Sequence, residues 1–288
     1  MTIPFSHAGF IFDLDGTVYR GETLLPGAAE AIGALRAAGR RLCFLSNKPI
    51  ERRAVYTQTL SRLGVPTRTE EVITSAWVLA RYLWREAAGA RCLVIGEAPL
   101  VEELRAAELT TVDGPAVDYV VVAFDRTFDY RKLDVALQAV TRHGARLIGT
   151  NRDRTCPVPE GEVPDGAGMI AAVEAVTARP VDPIVGKPSP IMLDEALTLL
   201  GLPAPACAVV GDRLETDVAM GRAAGLTTVL VLTGVTRPGD PAIARWRPDH
   251  VLGSLAEFAL APRPGVDEGD IAHREPDVGP PTRGDREP

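Results

Sequence analysis

The stretch Gly9-Phe10-Ile11-Phe12-Asp13-Leu14-Asp15-Gly16-Thr17 decides how the rest of the chain is read. It opens on a short β-branched and aromatic run, the pattern of a buried strand. Two carboxylates, Asp13 and Asp15, stand two residues apart where that strand ends. Gly16 then lets the chain turn away from the sheet edge with its backbone N–H groups facing outward. In open α/β sheets ligands bind beyond the carboxyl ends of the strands, and clustered N–H groups hold anions there. Such an edge suits a phosphate and a metal ion. Standing alone, D-x-D is more simply a solvated Asp-rich turn. An EF-hand calcium loop fits poorly, because its glycine takes the sixth place and Gly16 takes the fourth.

Three later segments repeat the arrangement. Ser46-Asn47 follows Leu42-Cys43-Phe44-Leu45 and offers a hydroxyl and an amide to phosphoryl oxygens, although by itself the pair reads as a helix N-cap. Gly186-Lys187-Pro188-Ser189-Pro190 follows the run Ile184-Val185, read as a strand, and sets a cation just before a helix. Ser189 is its N-cap and Pro190 its first helical residue. A helix start already carries positive partial charge, so a lysine there calls for an anionic partner. The plainer alternative is a solvated lysine, and replacing Lys187 is expected to change thermal stability little. Gly211-Asp212-Arg213-Leu214-Glu215-Thr216-Asp217 follows Ala208-Val209-Val210 and adds two carboxylates, which alone would be an ordinary Asp-rich turn into a helix. Each motif is weak singly. The four in this order, each behind an apolar run, form one signal.

The 288 residues are 46% hydrophobic, enough for two cored domains, and the net charge is −7 without any basic run. That argues against a nucleic-acid partner. No apolar stretch approaches the ~20 residues that cross a bilayer, and no leader-like segment opens the chain, so a cytoplasmic protein without a membrane partner is expected. Cys43, Cys92, Cys156 and Cys207 lie far apart with no C-x-x-C pair and read as buried free thiols. His7, His143, His250 and His273 show no metal spacing. Gly166-Ala167-Gly168-Met169-Ile170-Ala171 matches a dinucleotide fingerprint but follows a Pro-rich loop, so it is read as the start of a helix that faces the site. No G-x-S-x-G supports a serine hydrolase. Trp77, Tyr82 and Trp84 share one helical pattern and read as core.

Along the chain, Thr17 to Leu25 is a short excursion. An Ala-rich helix from Pro26-Gly27 to about Gly39, a strand from Arg41 to Ser46 and a helix from about Ile50 to Leu63 follow. Helical patterns (76–88, 97–107, 130–143) then alternate with apolar runs (91–95, 118–124, 146–148), a second α/β layer of its own. A polar, Pro-rich loop from Thr150 to Asp165 and a helix at 166–177 lead back to the first unit. The division is 1–75 with 181–261 as core and 76–180 as insertion. The stretch 262–288 is rich in Pro, Gly and charge and is expected to be a disordered tail.

The series D-x-D-G-T, S-N, G-K-P and G-D-x-x-x-T-D resembles the haloacid dehalogenase-like hydrolases from about Ala8 to Leu260. The insertion between the second and third motifs resembles the C2-capped class IIA branch, with its NagD-like and p-nitrophenyl-phosphatase-like enzymes. Within it, Thr150-Asn151-Arg152-Asp153 and the Gly-Lys-Pro-Ser segment resemble sugar-phosphate phosphatases of arabinose-operon type. The resemblance implies an α/β fold, a Rossmann-like parallel-sheet core with an inserted α/β C2 cap. It also implies hydrolysis of a small phosphorylated metabolite with Mg²⁺. Asp13 would attack phosphorus and form an aspartyl phosphate, and Asp15 would protonate the leaving alcohol and then activate water. Mg²⁺ would be held by Asp13, the Asp15 carbonyl and Asp212, with Asp217 and Thr17 in the layer around them. Lys187, Ser46, Asn47 and the N–H groups of Leu14, Asp15 and Gly16 would bind the phosphoryl oxygens. The segments 150–153 and 165–168 would line the mouth of the site, with Asn151 and Asp153 touching substrate. Related enzymes of this branch often pair through the cap, so the resemblance leaves the oligomeric state open between a monomer and a homodimer of that kind. A phosphomutase is the nearest enzymatic rival, but relatives of that kind carry a helical cap after the first motif, where 17–26 leaves no room. A non-catalytic phosphometabolite-binding protein is the rival of another class, and it has no need for a nucleophile paired with an acid.

Overall fold

The computed structural model describes residues 3–158 and 161–260. The tail expected at 262–288 lies outside them. Apolar residues alternate in the strands Gly9–Asp13, Arg41–Ser46 and Cys207–Gly211, and each strand is covered on both faces. Phe10, Phe12, Leu42, Phe44, Ala208 and Val210 share one buried cluster with Ile32 and Leu35 of the helix Ala28–Ala37. Ile11, Cys43, Leu45, Cys207 and Val209 turn to the other side, against Met192, Leu193 and Ala196 of the helix Pro190–Leu200. The result is a six-stranded parallel sheet in the order His250–Leu252, Thr227–Val231, Cys207–Gly211, Gly9–Asp13, Arg41–Ser46, Val72–Thr74. The chain order reverses beside Gly9–Asp13, which is where such sheets open a ligand crevice.

A four-stranded parallel sheet, Arg146–Gly149, Tyr119–Val122, Arg91–Ile95, Thr110–Thr111, lies between the two halves of the first in sequence. The helices Tyr130–His143 and Gly166–Thr177 cover one of its faces, and Ser75–Glu86 with Ala98–Ala106 cover the other. The helix Ser75–Glu86 also packs toward the first sheet, since Leu79 and Leu83 share a buried cluster with Ile11, Leu45 and Ile73 as well as with Cys92 and Val121. The apolar core therefore runs on across position 75.

Several elements differ from the sequence reading. Val72–Thr74 is a sheet strand too short to show a period. The excursion after the first motif holds a small hairpin, Tyr19–Arg20 with Thr23–Leu24. The segment read as a polar loop contains the antiparallel pair Thr155–Val158 and Gly161–Pro164. Pro157 and Pro164 sit in this two-stranded ribbon with open edges, where a missing N–H is tolerated. Ile184-Val185 forms no strand of the core sheet, only an isolated parallel bridge from Ile184 to Gly149. The helix after the second motif begins at Arg53, not Ile50.

Candidate active site

Three adjacent strand ends bring the motifs together. Asp13 closes the central strand, Ser46 closes its neighbour on one side, and Asp212 directly follows Gly211 on the other. Gly16, with φ of +89°, lies so close beneath Asp212 that a Cβ there would stand 2.6 Å from Asp212 Oδ2. Gly234 is tighter still, since a Cβ would come within 1.8 Å of the same oxygen. Any side chain at either place would displace the carboxylate.

Lys187 reaches this edge from the start of the helix Pro190–Leu200, whose N-cap is Ser189 as the sequence suggests. Its ammonium donates to Asp13 Oδ1 at 2.5 Å and to Asp217 Oδ1 at 2.8 Å, and the side chain is only 4% exposed. This burial excludes the plainer alternative of a solvated lysine and agrees with the expectation of an anionic partner. As the buried counterion of two buried carboxylates it is expected to contribute more to stability than the sequence reading allowed. Burial alone would pull the ammonium down, but the charges of Asp13 and Asp217 outweigh it and hold the lysine above its ordinary value. Without a strand before it, the lysine is held by Asn47. Lys187 N–H donates to Asn47 Oδ1 (2.8 Å), and Asn47 Nδ2 donates to the Lys187 carbonyl (3.1 Å) and to Asp153 Oδ2 (2.9 Å).

Carboxylate atoms of Asp13, Asp212 and Asp217 lie within 4.8 Å of one another. Burial, with the charges of Asp13 and Asp217, pushes Asp212 up to about 8. Burial likewise raises Asp217 to about 6 against the pull of Lys187. Both Asp217 oxygens are engaged, Oδ1 by Lys187 and Oδ2 by Arg213 N–H and Thr216 Oγ1. Asp13 Oδ2 and Asp212 Oδ1, by contrast, are buried with no hydrogen-bond partner among the described residues. Buried carboxylate oxygens left without a donor in such a cluster fit a hard cation, to which Asp13 and Asp212 would each offer a free oxygen with Asp217 alongside.

Asp13, Asp15, Ser46, Asn47 and Lys187 share one cavity with Asp153, as the sequence reading joins them. About 30 Å³ is free between these groups. Asp153, Lys187, Arg213 and Thr216 also border a cavity of about 590 Å³, a size that accommodates a small metabolite. Some assigned residues stand differently. The Asn47 amide is saturated by protein partners, so it orders Lys187 and leaves no donor for a phosphoryl oxygen. Gly16 N–H donates to Tyr19 O (2.8 Å), drawn inward by the small hairpin. Thr150 and Asn151 are fully buried, and Asn151 Nδ2 donates to Asp153 Oδ2 (3.0 Å) and Asp165 Oδ1 (3.1 Å), which makes it a support of the cavity wall. Thr17 is buried beside the motif, its hydroxyl without a hydrogen-bond partner among the described residues.

Asp165, from the segment read as the mouth of the site, and Thr216, of the fourth motif, join the lining together with Lys48 and Arg213, the two lining residues to which the sequence reading gave no role. Lys48 pairs with Asp15, and Arg213 pairs with Asp153 (3.5 Å) and donates to the Thr155 carbonyl (3.3 Å). Their one sequence signal was adjacency, since each directly follows a motif residue. Among the described residues no helix is long and apolar enough to cross a membrane.

A family model described as haloacid dehalogenase-like hydrolase matches residues 10–110, and a second model of the same kind matches 184–258. The sugar-phosphatase AraL of Bacillus subtilis (strain 168) is 38% identical over 264 residues, 91% of this chain and 96% of the relative. Human glycerol-3-phosphate phosphatase is 39% identical over 258 residues, 80% of each. Among solved structures, a p-nitrophenyl phosphatase from Archaeoglobus fulgidus superposes with a TM-score of 0.82 at 37% identity, covering 87% of this chain and 97% of that one. NagD from E. coli K-12 gives 0.79 at 31%, covering 89% and 100%. Fold, carboxylate cluster and relatives together define a phosphomonoester hydrolase that acts on small phosphates. The chain belongs to the haloacid dehalogenase-like hydrolases, in their C2-capped, NagD-like class IIA branch.

Proposed function

We propose that this protein is a Mg²⁺-dependent phosphatase of a small phosphorylated metabolite, a sugar phosphate or similar monoester, working through an aspartyl phosphate on Asp13. The observation that carries the reading is the Asp13 carboxylate: Lys187 fixes one oxygen, and the other is buried and unpartnered at the end of the central strand. Asp13 and Asp212, with the Asp15 carbonyl, would hold Mg²⁺. When bound, the ion supplies positive charge to the phosphoryl oxygens and to the attacking carboxylate. Asp13 bonds to phosphorus as the ester P–O bond breaks, and Asp15 delivers a proton to the departing alcohol oxygen. Asp15 then takes a proton from the water that attacks the acyl phosphate and restores Asp13. Lys187 and Ser46 meet the phosphoryl oxygens, and Asn47 keeps Lys187 in place. The leaving alcohol lies toward the 590 Å³ cavity beside Arg213 and Asp153, beneath the insertion 76–180.

The names of the relatives support monoesters of sugar or glycerol type as the substrate class. A phosphometabolite panel with and without Mg²⁺ tests it. Wild-type protein should release phosphate only with the ion, and a quenched reaction should carry a phosphoryl adduct on the peptide containing Asp13. Asp13→Asn should keep its fold and release none. Turnover by that variant would refute the covalent route.

A further inference from the structure

We propose that Lys48 is the positioning residue of the acid–base step, which rests on the reading of Asp15 as the proton donor given above. Asp13 is anchored by Lys187. Among the described residues, Asp15 has one side-chain partner, the Lys48 ammonium, which bonds its Oδ2. Without that contact two free torsions decide where the carboxyl points. Both side chains are mostly buried and line the same cavity as Asp13.

The lysine is itself held on three sides. Its N–H donates to Ser46 Oγ (3.2 Å), and its carbonyl accepts from the hydroxyl of buried Tyr56 (3.1 Å). The thiol of Cys156, on the strand Thr155–Val158, stands beside the ammonium and closes it from the insertion side. A carboxyl fixed through Oδ2 leaves Oδ1 to carry the proton, in the cavity that Asp15 shares with Asp13 and where the ester oxygen would arrive. As the P–O bond breaks and Asp13 bonds to phosphorus, the proton passes from Asp15 to the alcohol oxygen, and Lys48 meets the negative charge left on the carboxyl. Preorganised charge of this kind needs no rearrangement at the moment of reaction, and misplacing a reacting group by about 1 Å can cost roughly a hundredfold.

The test compares two aryl esters of nearly the same shape, p-nitrophenyl phosphate and phenyl phosphate. p-Nitrophenolate leaves without help, whereas phenolate, with a pKa near 10, gains from protonation. kcat/KM reports only the first phosphoryl transfer, so hydrolysis of the acyl phosphate drops out. Lys48→Met, which keeps the length and removes the charge, should lose about threefold with p-nitrophenyl phosphate and roughly thirtyfold with phenyl phosphate, part of the 10²–10⁴ that a general acid contributes. Lys48→Arg should stay within about fivefold of wild type on both, since it keeps the donor. Equal losses on the two esters, or no loss on either, overturns the proposal. If Lys48→Met gives no cooperative melt, Lys48→Gln is read by the same ratio. Asp15→Asn separates the layers: if it too loses both esters equally, the proton-donor reading of Asp15 fails, and the role given to Lys48 fails with it.

Discussion

Replacing Lys187 by Met removes the cation between Asp13 and Asp217 while filling most of its volume. The ammonium bonds both carboxylates, at 2.5 and 2.8 Å, and all three side chains are largely buried. Breaking a buried ion pair from one side typically costs about 3–5 kcal/mol, because the partner charge is left uncompensated. For a chain of this size that corresponds to a Tm lower by roughly 6–15 °C. The deficit should depend on pH. Asp217, already raised to about 6 by burial, loses the charge that held it down, so its folded value climbs further above the unfolded one. A carboxyl raised in this way contributes stability at low pH that disappears as pH rises through its folded value. The gap between wild type and variant should therefore be small at pH 5 and wide at pH 8. Melts of EDTA-treated protein at the two pH values measure it. With Mg²⁺ present, kcat/KM for p-nitrophenyl phosphate should fall about a hundredfold, or ~3 kcal/mol of transition-state stabilisation. A Tm within about 2 °C of wild type at pH 8, or the same deficit at both pH values, would refute this account of the lysine.

Mg²⁺ should raise the Tm of wild-type protein more at pH 8 than at pH 5, because Asp212 and Asp217 hold protons at the lower pH and repel one another without a cation at the higher. Equal shifts at the two pH values would count against these carboxylates as the ion's site. Gly234→Ala should abolish activity and the Mg²⁺-induced Tm shift together, since its Cβ would press into Asp212 Oδ2; retention of that shift would show that the carboxylate does not need its present position. Asn47→Ala should lower kcat/KM by roughly 10–100-fold, in line with the loss of a positioning contact, and kcat should fall more than KM rises. A change confined to KM would instead return Asn47 to direct substrate binding.

The sequence alone determined the alternation of strand and helix and the place of the first and fourth motifs. Runs such as Gly9–Asp13 and Cys207–Gly211 are apolar on both faces, and only a strand between two helical layers buries them so. Catalytic-type residues at the ends of such runs follow from the backbone, because a parallel sheet brings its carboxyl ends to one edge whatever the loops do. What only tertiary structure decided was which polar groups are left free there. Asn47 and Gly16 have the right chemistry for phosphate but are already bonded, to Lys187 and Asp153 in one case and to Tyr19 in the other. Lys187 follows no core strand and depends on a side chain 140 positions away in sequence. Lys48 and Arg213 show in the sequence only as neighbours of motif residues, and it is contact with the strand Thr155–Val158 that ties them to the site. Periodicity records which face of an element is buried. A hydrogen bond between distant loops leaves no such record, since it is fixed by the register and packing of the elements that carry the two partners.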